Sequence, residues 1–315
     1  MSTSRGDMKI LFSAPESDWA DYRDLLPSAL AHAGITAEVV REAAPDTVDY
    51  IVYAPNDDLR DFTPFTRTRA VLSLWAGVER IVGNATLTQP LTRMVDAGLE
   101  RGMVEYVTGH VLRHHLGMDA HVVNPERDWT PVPPPLAADR PVTVLGLGAL
   151  GRACATTLAG LGFPVTGWSR TPKRIEGLRC LSGEDGLTAA LTGAEIIVAL
   201  LPLTPETEGI LDAARFALPA PRAALINPGR GALIDDAALL EALDAGRIGH
   251  ATLDVFRTEP LPREHPYWAH PRVTVTPHVA SATRPATAAR VIAENIRRAE
   301  AGEPLLFEVD RVRGY

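Results

Sequence analysis

The chain has 315 residues, of which 46% are hydrophobic and 22% are charged, as in a globular protein long enough for two domain cores. Its 39 acidic and 31 basic residues give a net charge of −8, which argues against nucleic acid or an anionic membrane as the main partner. Two cysteines without metal-ligand spacing predict a reducing, cytoplasmic setting, and the first residues contain neither a signal peptide nor a membrane span.

Short apolar runs alternate with amphipathic stretches in the first part of the chain. Helices are predicted over Asp18–His32 and from Met103 to about Leu116. The stretch DWTPVPPPLAADRP follows, and its prolines predict a connector because they neither continue a helix nor pair within a sheet. The strands predicted in this part are Lys9–Phe12, Ala37–Val40, Tyr50–Tyr53 and Ala70–Leu74.

After the connector, strands and helices alternate more clearly. Helices are predicted over Leu150–Leu161 and Asp235–Ala245, and a last helix, about Arg284–Ala301, is expected to return to the first domain. This alternation predicts an α/β fold with a doubly wound parallel sheet. The predicted strands are Val142–Leu145, Val165–Trp168, Glu195–Leu200, Ala223–Ile226, His250–Val255 and Arg272–Thr276.

A glycine motif, GLGALG, lies between a predicted strand and a helix. A tight turn requires Gly146, close approach of a pyrophosphate requires Gly148, and packing of the helix on the strand favours Gly151. The N–H groups at the helix start would bind the phosphates. The motif therefore predicts a dinucleotide site, and the alternative is a glycine-rich turn without a ligand.

The residues after the next strand indicate which dinucleotide binds. NAD sites place an acidic residue about twenty residues beyond the first glycine, to bind the ribose. This sequence has Ser169, Arg170, Lys173 and Arg174 there, and a guanidinium pairs with a 2′-phosphate that a carboxylate would repel. We predict a preference for NADPH over NADH. The alternative is a solvated basic loop.

Three further polar residues each follow a predicted strand. Arg230, in NPGRGALIDD, offers a planar fork that suits a carboxylate and a neighbouring carbonyl. His278, in TVTPHVASAT, can exchange a proton near neutral pH, and Glu259 would orient its ring. Together they predict hydride-transfer chemistry on a 2-oxo acid. Taken singly, each could be a surface arginine, a solvated acid or a capping histidine.

The ordered motifs resemble those of the D-2-hydroxyacid dehydrogenases, and among them the glyoxylate/hydroxypyruvate reductase A branch. The resemblance covers nearly the whole chain. It rests on LWAGVERI, MVEYVTGHVLRHH, GLGALG, GWSRTPK, LLPLTPETEGIL, NPGRGALIDDAALLEALDAGRI, LDVFRTEPLP, HPRVTVTPHVASATRP and VDRVRGY.

The resemblance implies a flavodoxin-like substrate domain formed by residues 1–100 and 283–315, and a Rossmann-like cofactor domain formed by residues 101–282. It implies NADPH-preferring reduction of small 2-oxo acids, such as glyoxylate and hydroxypyruvate, to D-2-hydroxy acids, with NAD as a possible second cofactor. It also implies a homodimer formed through the MVEYVTGHVLRHH region.

The resemblance assigns roles to single residues as well. Arg230 would hold the substrate carboxylate and polarise the oxo group, and His278 would be the acid, with Glu259 as its partner. Backbone N–H groups of Ala76 and Gly77, next to Trp75, would also bind the carboxylate. The cofactor would be bound by four groups of residues. Ala149 and Leu150 would contact the pyrophosphate, and Ser169, Arg170 and Lys173 would contact the 2′-phosphate. Leu201, Pro202 and Thr207 would line the adenine side, and the nicotinamide would be flanked by Asn227, Pro228, Asp254 and Ala280.

Two alternatives stay open on the sequence. The chain could sense NAD(P) without turnover, or it could be a dehydrogenase for a larger substrate. Trp75 stands where the family has a small residue, and its side chain could either narrow the substrate pocket or pack beneath it. No metal is expected, since His110 and His114 have no obvious third ligand.

Overall fold

The computed structural model describes residues 8–311 and residue 314. The first seven residues, on which part of the signal-peptide prediction rests, and residues 312, 313 and 315 of the VDRVRGY motif lie outside this described part. The chain divides into two compact units, Met1–Leu99 with Ala282–Tyr315, and Glu100–Ser281. Among the described residues, no helix is long and apolar enough to cross a membrane.

Twelve strands and eight α-helices form within the described residues. The strands are β1 (Met8–Ser13), β2 (Ala37–Val40), β3 (Tyr50–Tyr53), β4 (Ala70–Ser73), β5 (Leu91–Thr92), β6 (Val142–Leu145), β7 (Val165–Ser169), β8 (Arg179–Ser182), β9 (Ile196–Ala199), β10 (Ala223–Asn227), β11 (Ile248–Leu253) and β12 (Val273–Val275). The helices are α1 (Glu16–Tyr22), α2 (Leu25–His32), α3 (Ala97–His115), α4 (Asp119–Val122), α5 (Ala149–Gly160), α6 (Gly183–Leu191), α7 (Asp236–Asp244) and α8 (Pro285–Glu300).

The first unit contains a parallel five-stranded sheet in the order β2-β1-β3-β4-β5. Every residue of β3, YIVY, is buried, as expected for a strand covered on both faces. One face packs on α1, α2 and α8, whose apolar residues Tyr22, Leu26 and Ile292 share a core with the strands. The C-terminal helix is thus part of the core of the N-terminal sheet.

The second unit contains a parallel seven-stranded sheet in the order β12-β11-β10-β9-β6-β7-β8. The strand order reverses between β6 and β9, because the chain runs outward from β6 to β8 and then outward again from β9 to β12. Ligands of open α/β sheets bind beyond the carboxyl ends of the strands at such a reversal. The two parallel sheets confirm the predicted α/β fold class.

Two helix predictions are wrong in their bounds. The single helix predicted over Asp18–His32 is two helices, because Pro27 lacks an N–H group and fits only in the first turn of a helix, so that α2 begins anew at Leu25. Helix α3 begins at Ala97 instead of Met103. Its start is fixed by Asp96, whose carboxylate accepts from the N–H groups of Gly98 at 3.0 Å and Leu99 at 3.2 Å.

Candidate active site

The predicted glycine motif forms the turn from β6 into α5. Gly146 has a φ of +104°, and a Cβ atom there would lie 2.5 Å from the carbonyl oxygen of Leu200. A Cβ atom on Gly151 would lie 1.7 Å from the carbonyl oxygen of Gly146. Both positions therefore require glycine because backbone segments meet there.

Gly148 is different, since a Cβ atom there would meet no described atom within 4 Å. It is the N-cap of α5, and among the described residues no side chain caps this helix. The N–H groups of Ala149, Leu150 and Gly151 thus begin a twelve-residue helix beside open space. Uncapped N–H groups and the positive end of the helix dipole fit the pyrophosphate of a dinucleotide.

The predicted 2′-phosphate residues follow the end of β7. Ser169 is buried and donates its hydroxyl hydrogen bond to the carbonyl oxygen of Thr171 at 2.8 Å. Arg170 and Lys173 are exposed on the loop beyond the strand. Nη1 of Arg170 lies 3.9 Å from Oε2 of Glu206, which comes from the loop after β9. The sequence did not point to Glu206, because nothing in its spacing indicates that the two loops meet.

The other predicted cofactor residues also lie at the carboxyl edge of the sheet. Thr207 fixes its own loop by donating to the carbonyl oxygen of Pro202 at 2.7 Å. Leu201, Pro202 and Thr207 follow β9, Asn227 and Pro228 end and follow β10, Asp254 follows β11, and Ala280 follows β12.

His278 and Glu259 meet directly. Nδ1 of His278 lies 2.7 Å from Oε2 of Glu259, and Oε1 of Glu259 accepts from the N–H of Phe256 at 2.9 Å. Glu259 is therefore held by its own loop while it orients the imidazole ring. With Nδ1 engaged, the other ring nitrogen, Nε2, is the atom placed to exchange a proton.

Asp254 fixes the backbone of the loop that carries His278. Its buried carboxylate accepts from the N–H of Val279 at Oδ1 and from the N–H of Ala280 at Oδ2, each at 2.9 Å. Its carbonyl oxygen accepts from the N–H of His278, also at 2.9 Å. His278 has a φ of +52°, a conformation that costs a non-glycine residue about 1–3 kcal/mol. Three consecutive hydrogen bonds to one aspartate stabilise it.

A chain of hydroxyl groups extends from Asp254 to α3. Thr276 donates to Oδ1 of Asp254 at 2.6 Å, and its hydroxyl oxygen lies 2.7 Å from that of Tyr106. A threonine hydroxyl has one proton, so when it donates to the carboxylate, Tyr106 must donate to it. Burial raises the pKa of Tyr106 to about 12, which keeps this donor protonated.

Arg230 sits on a loop whose backbone is tightly bonded. Asn227, fully buried at the end of β10, donates from Nδ2 to the carbonyl oxygen of Arg230 at 2.9 Å and accepts from the N–H of Gly229 at 3.2 Å. Nη1 of Arg230 donates to the carbonyl oxygen of Gly229 at 2.7 Å. The guanidinium is thus anchored beside the strand end.

The Arg230 loop packs against the Glu259 loop. A Cβ atom on Gly231 would lie 2.0 Å from the carbonyl carbon of Phe256, the residue whose N–H binds Glu259. Only glycine permits this approach. The structure therefore brings His278 and Glu259 into contact and places the loop bearing Arg230 against the loop bearing Glu259.

The residues predicted to bind the carboxylate in the first unit follow β4. The N–H of Trp75 donates to the hydroxyl of Ser73 at 3.1 Å, and its carbonyl oxygen accepts from Met94 at 2.9 Å. Within the described part of the chain, no group accepts from the N–H groups of Ala76 and Gly77. Two adjacent amide donors on a bonded loop can bind a carboxylate.

Two residues of this hydrogen-bond chain, Tyr106 and Thr276, were not predicted from the sequence. Thr276 stands two residues before His278, and a hydroxyl so close to a candidate acid is the only signal that could have indicated it. Tyr106 gives no signal, because its contact joins positions 170 apart in sequence.

The side chain of His114 contacts other residues of the second unit. Its Nε2 lies 3.0 Å from the hydroxyl of Thr252, and its ring centre lies 5.2 Å from that of His250. Among the described residues, no group of three histidine, cysteine or acidic side chains is arranged to hold a metal ion.

Comparison with known families identifies the second unit. The model of the D-isomer specific 2-hydroxyacid dehydrogenase, NAD binding domain, matches residues 109–280. Glyoxylate/hydroxypyruvate reductase A of Serratia proteamaculans is 38% identical over 98% of this chain and 100% of its own length. The protein of the same name from Photorhabdus laumondii is 44% identical over 78% of this chain and 82% of its own length.

Solved structures show the same relationship. A D-isomer specific 2-hydroxyacid dehydrogenase of Xanthobacter autotrophicus, in complex with NADPH and MES, has a TM-score of 0.91 and 42% identity, covering 98% of this chain and 100% of that chain. The NADPH-dependent glyoxylate/hydroxypyruvate reductase of Sinorhizobium meliloti, in complex with NADP and sulfate, has a TM-score of 0.84 and 34% identity, with the same coverage. These matches confirm the resemblance predicted from the motifs.

Proposed function

Because the chain belongs to the D-isomer specific 2-hydroxyacid dehydrogenase family and is an NAD(P)-dependent dehydrogenase, we propose that it reduces small 2-oxo acids, including glyoxylate and hydroxypyruvate, to D-2-hydroxy acids. The observation that carries this proposal is the His278–Glu259 pair, 2.7 Å apart at the carboxyl edge of the dinucleotide-binding sheet. A protein that only binds NAD(P) does not require a proton donor such as His278 oriented by a carboxylate.

His278 donates the proton in this scheme. Glu259 accepts from Nδ1 and holds the ring so that Nε2 gives its proton to the substrate oxygen as negative charge develops there. A reduced nicotinamide dinucleotide, when bound, supplies the hydride for the carbonyl carbon. Asn227, Pro228, Asp254 and Ala280 are the residues that we assign to the nicotinamide end, and Gly146, Gly148, Ala149, Leu150 and Gly151 those that we assign to the pyrophosphate.

Arg230 binds the substrate carboxylate and stabilises the charge that develops on the oxo group. Its fork can make two parallel hydrogen bonds, which a lysine cannot. We assign a further part of the carboxylate contact to the N–H groups of Ala76 and Gly77. Trp75 directly precedes these residues and is exposed, and we assign it the role of limiting the size of the acid.

We assign a preference for NADPH to the loop after β7. Arg170 and Lys173 are exposed cations at the point where NAD sites carry an acid. The relatives from Xanthobacter and Sinorhizobium were solved with NADPH and NADP, which supports the assignment. Pairing of a guanidinium with the 2′-phosphate contributes about 1.5–3 kcal/mol, enough for roughly a ten- to hundredfold preference.

We further propose a homodimer, formed through the MVEYVTGHVLRHH region of α3 together with the segment that follows it, in a reducing, cytoplasmic compartment. The segment after α3 carries apolar side chains that are mostly exposed, a distribution typical of an interaction surface. Both cysteines, Cys154 and Cys180, are free. The exposed residues are Val122 at 75%, Val123 at 73%, Trp129 at 96%, Val132 at 73% and Leu136 at 74%.

A panel of 2-oxo acids assayed with NADPH and with NADH tests the proposal. We expect steady oxidation of NADPH with glyoxylate and hydroxypyruvate, and slower oxidation of NADH. The competing function is a sensor of NAD(P), for which tight cofactor binding without turnover on any acid is the expected result. Turnover only on acids larger than hydroxypyruvate would instead identify a dehydrogenase for a larger substrate.

A further inference from the structure

Arg93 lies at the carboxyl end of a strand in the first unit. It directly follows β5, which pairs in parallel with β4 through Val71 with Leu91 and Leu72 with Thr92. The carboxyl ends of these neighbouring strands therefore lie at the same edge of the sheet, where open α/β sheets bind ligands. β4 leads there into the Trp75–Gly77 loop.

Backbone hydrogen bonds tie Arg93 to that loop. The N–H of the next residue, Met94, donates to the carbonyl oxygen of Trp75 at 2.9 Å, and the N–H of Arg93 itself donates to the carbonyl oxygen of Phe307 at 3.1 Å. Arg93 is thus fixed beside the loop to which we assigned the substrate carboxylate.

The guanidinium of Arg93 is half-buried and has no hydrogen-bond or ion-pair partner among the residues that the structure describes. Burial lowers its pKa, because loss of water disfavours the charged form. Arg67 and Arg69, at the opposite edge of the same sheet, both pair with the buried carboxylate of Asp49, at 2.9 and 3.5 Å. The arginines at the amino ends of these strands are therefore paired with a buried acid, whereas the half-buried Arg93 at their carboxyl ends has no such partner among the described residues.

We propose that Arg93 is a specificity-determining residue whose guanidinium binds an oxygen substituent on C3 of the substrate. This inference rests on the proposed reductase function. Such a contact would distinguish 2-oxo acids with a C3 hydroxyl group, such as hydroxypyruvate, from glyoxylate, which has no C3. An arginine presents five N–H donors and accepts none, so it matches a hydroxyl or carboxylate oxygen. A partly desolvated guanidinium without an internal partner gains from a ligand that supplies the missing contact.

The test compares the two acids on Arg93→Met, with NADPH saturating. We expect the KM for hydroxypyruvate to rise about 10- to 100-fold, the worth of a hydrogen bond to a charged group, while the KM for glyoxylate changes less than about twofold. Arg93→Lys should lie between the wild type and Arg93→Met, because it keeps the charge without the fork. An equal change for both acids, or no change for either, would overturn the proposal.

Thermal unfolding provides a second readout. Arg93→Met should unfold at or above the wild-type temperature, because it removes a charge without a partner, whereas Arg69→Met, which breaks a pair with a buried carboxylate, should unfold earlier. A loss for Arg93→Met as large as for Arg69→Met would assign Arg93 to structure instead. A wild-type protein that reduces neither acid would contradict the proposed function itself, and this inference with it.

Discussion

The hydroxyl of Thr276 donates to Oδ1 of Asp254 across 2.6 Å, and the same carboxylate binds the N–H groups of Val279 and Ala280. Thr276 and Asp254 thus fix both ends of the loop that presents His278 at a positive φ. The orientation of the imidazole depends on this partly buried contact as well as on Glu259.

Replacement of Thr276 by valine keeps its shape and removes its donor. We expect kcat to fall about 10- to 100-fold, because a small displacement of a reacting group costs this much. Thr276→Ser should keep activity within about threefold, and NADPH affinity should be unchanged in both variants. Full activity in the valine variant together with a loss in the serine variant would show that the methyl group matters and the hydrogen bond does not.

Arg170 and Glu206 form an exposed ion pair at 3.9 Å, so the carboxylate competes with a 2′-phosphate for the guanidinium. Arg170→Ser should lower the ratio of kcat/KM for NADPH over NADH about 10- to 100-fold. Glu206→Gln should raise NADPH affinity roughly two- to fivefold, within the range of exposed charge pairs. Arg179→Ser, an exposed arginine on the neighbouring β8, is the matched control. An unchanged cofactor ratio in Arg170→Ser would remove this residue from the phosphate site.

The partly buried His114 makes the stability of the protein depend on pH. Burial, with smaller contributions from His250 and Arg113, lowers the pKa of His114 to about 3. Because this pKa is below the unfolded value of 6.5, the stabilisation is complete above pH 6.5 and is lost as the pH falls towards 3. The loss can reach about 1.4 kcal/mol per pH unit.

Thermal unfolding between pH 7 and pH 4.5 measures this effect. In His114→Gln the unfolding temperature should depend less on pH, because glutamine keeps a polar group near Thr252 and does not titrate. The control is His32→Gln, at an exposed position, which should show the same pH dependence as the wild type. Identical slopes for all three proteins would exclude His114 as the cause.

Much of the fold could be predicted from local patterns. The strand Tyr50–Tyr53 was predicted with its observed bounds, and the turn of GLGALG into α5 follows from Gly146 and Gly151, where the backbone leaves no room for a side chain. The break between α1 and α2 was missed because helical spacing of apolar residues continues across it, and only Pro27 marks the new start. Strand β5 was missed because two residues show no periodicity.

The residues of the candidate site could be predicted where a polar or titratable side chain directly follows a strand. Arg230, Glu259 and His278 were each chosen on this ground, and their catalytic roles remain predictions. The hydrogen bonds that hold them were not predictable, because the pairing of Thr276 with Asp254 depends on the left-handed backbone at His278. Likewise, the sequence does not reveal that Arg93 has no partner among the described residues while Arg69 has one.

In the proposed mechanism His278 supplies the proton to a 2-oxo acid, and the variant His278→Ala removes that proton donor. We predict that kcat for glyoxylate and hydroxypyruvate with NADPH falls about 10²–10⁴-fold, while NADPH affinity, measured by fluorescence titration, and thermal stability stay near those of the wild type. Turnover at the wild-type rate in a His278→Ala variant that binds NADPH normally would show that His278 is not the proton donor.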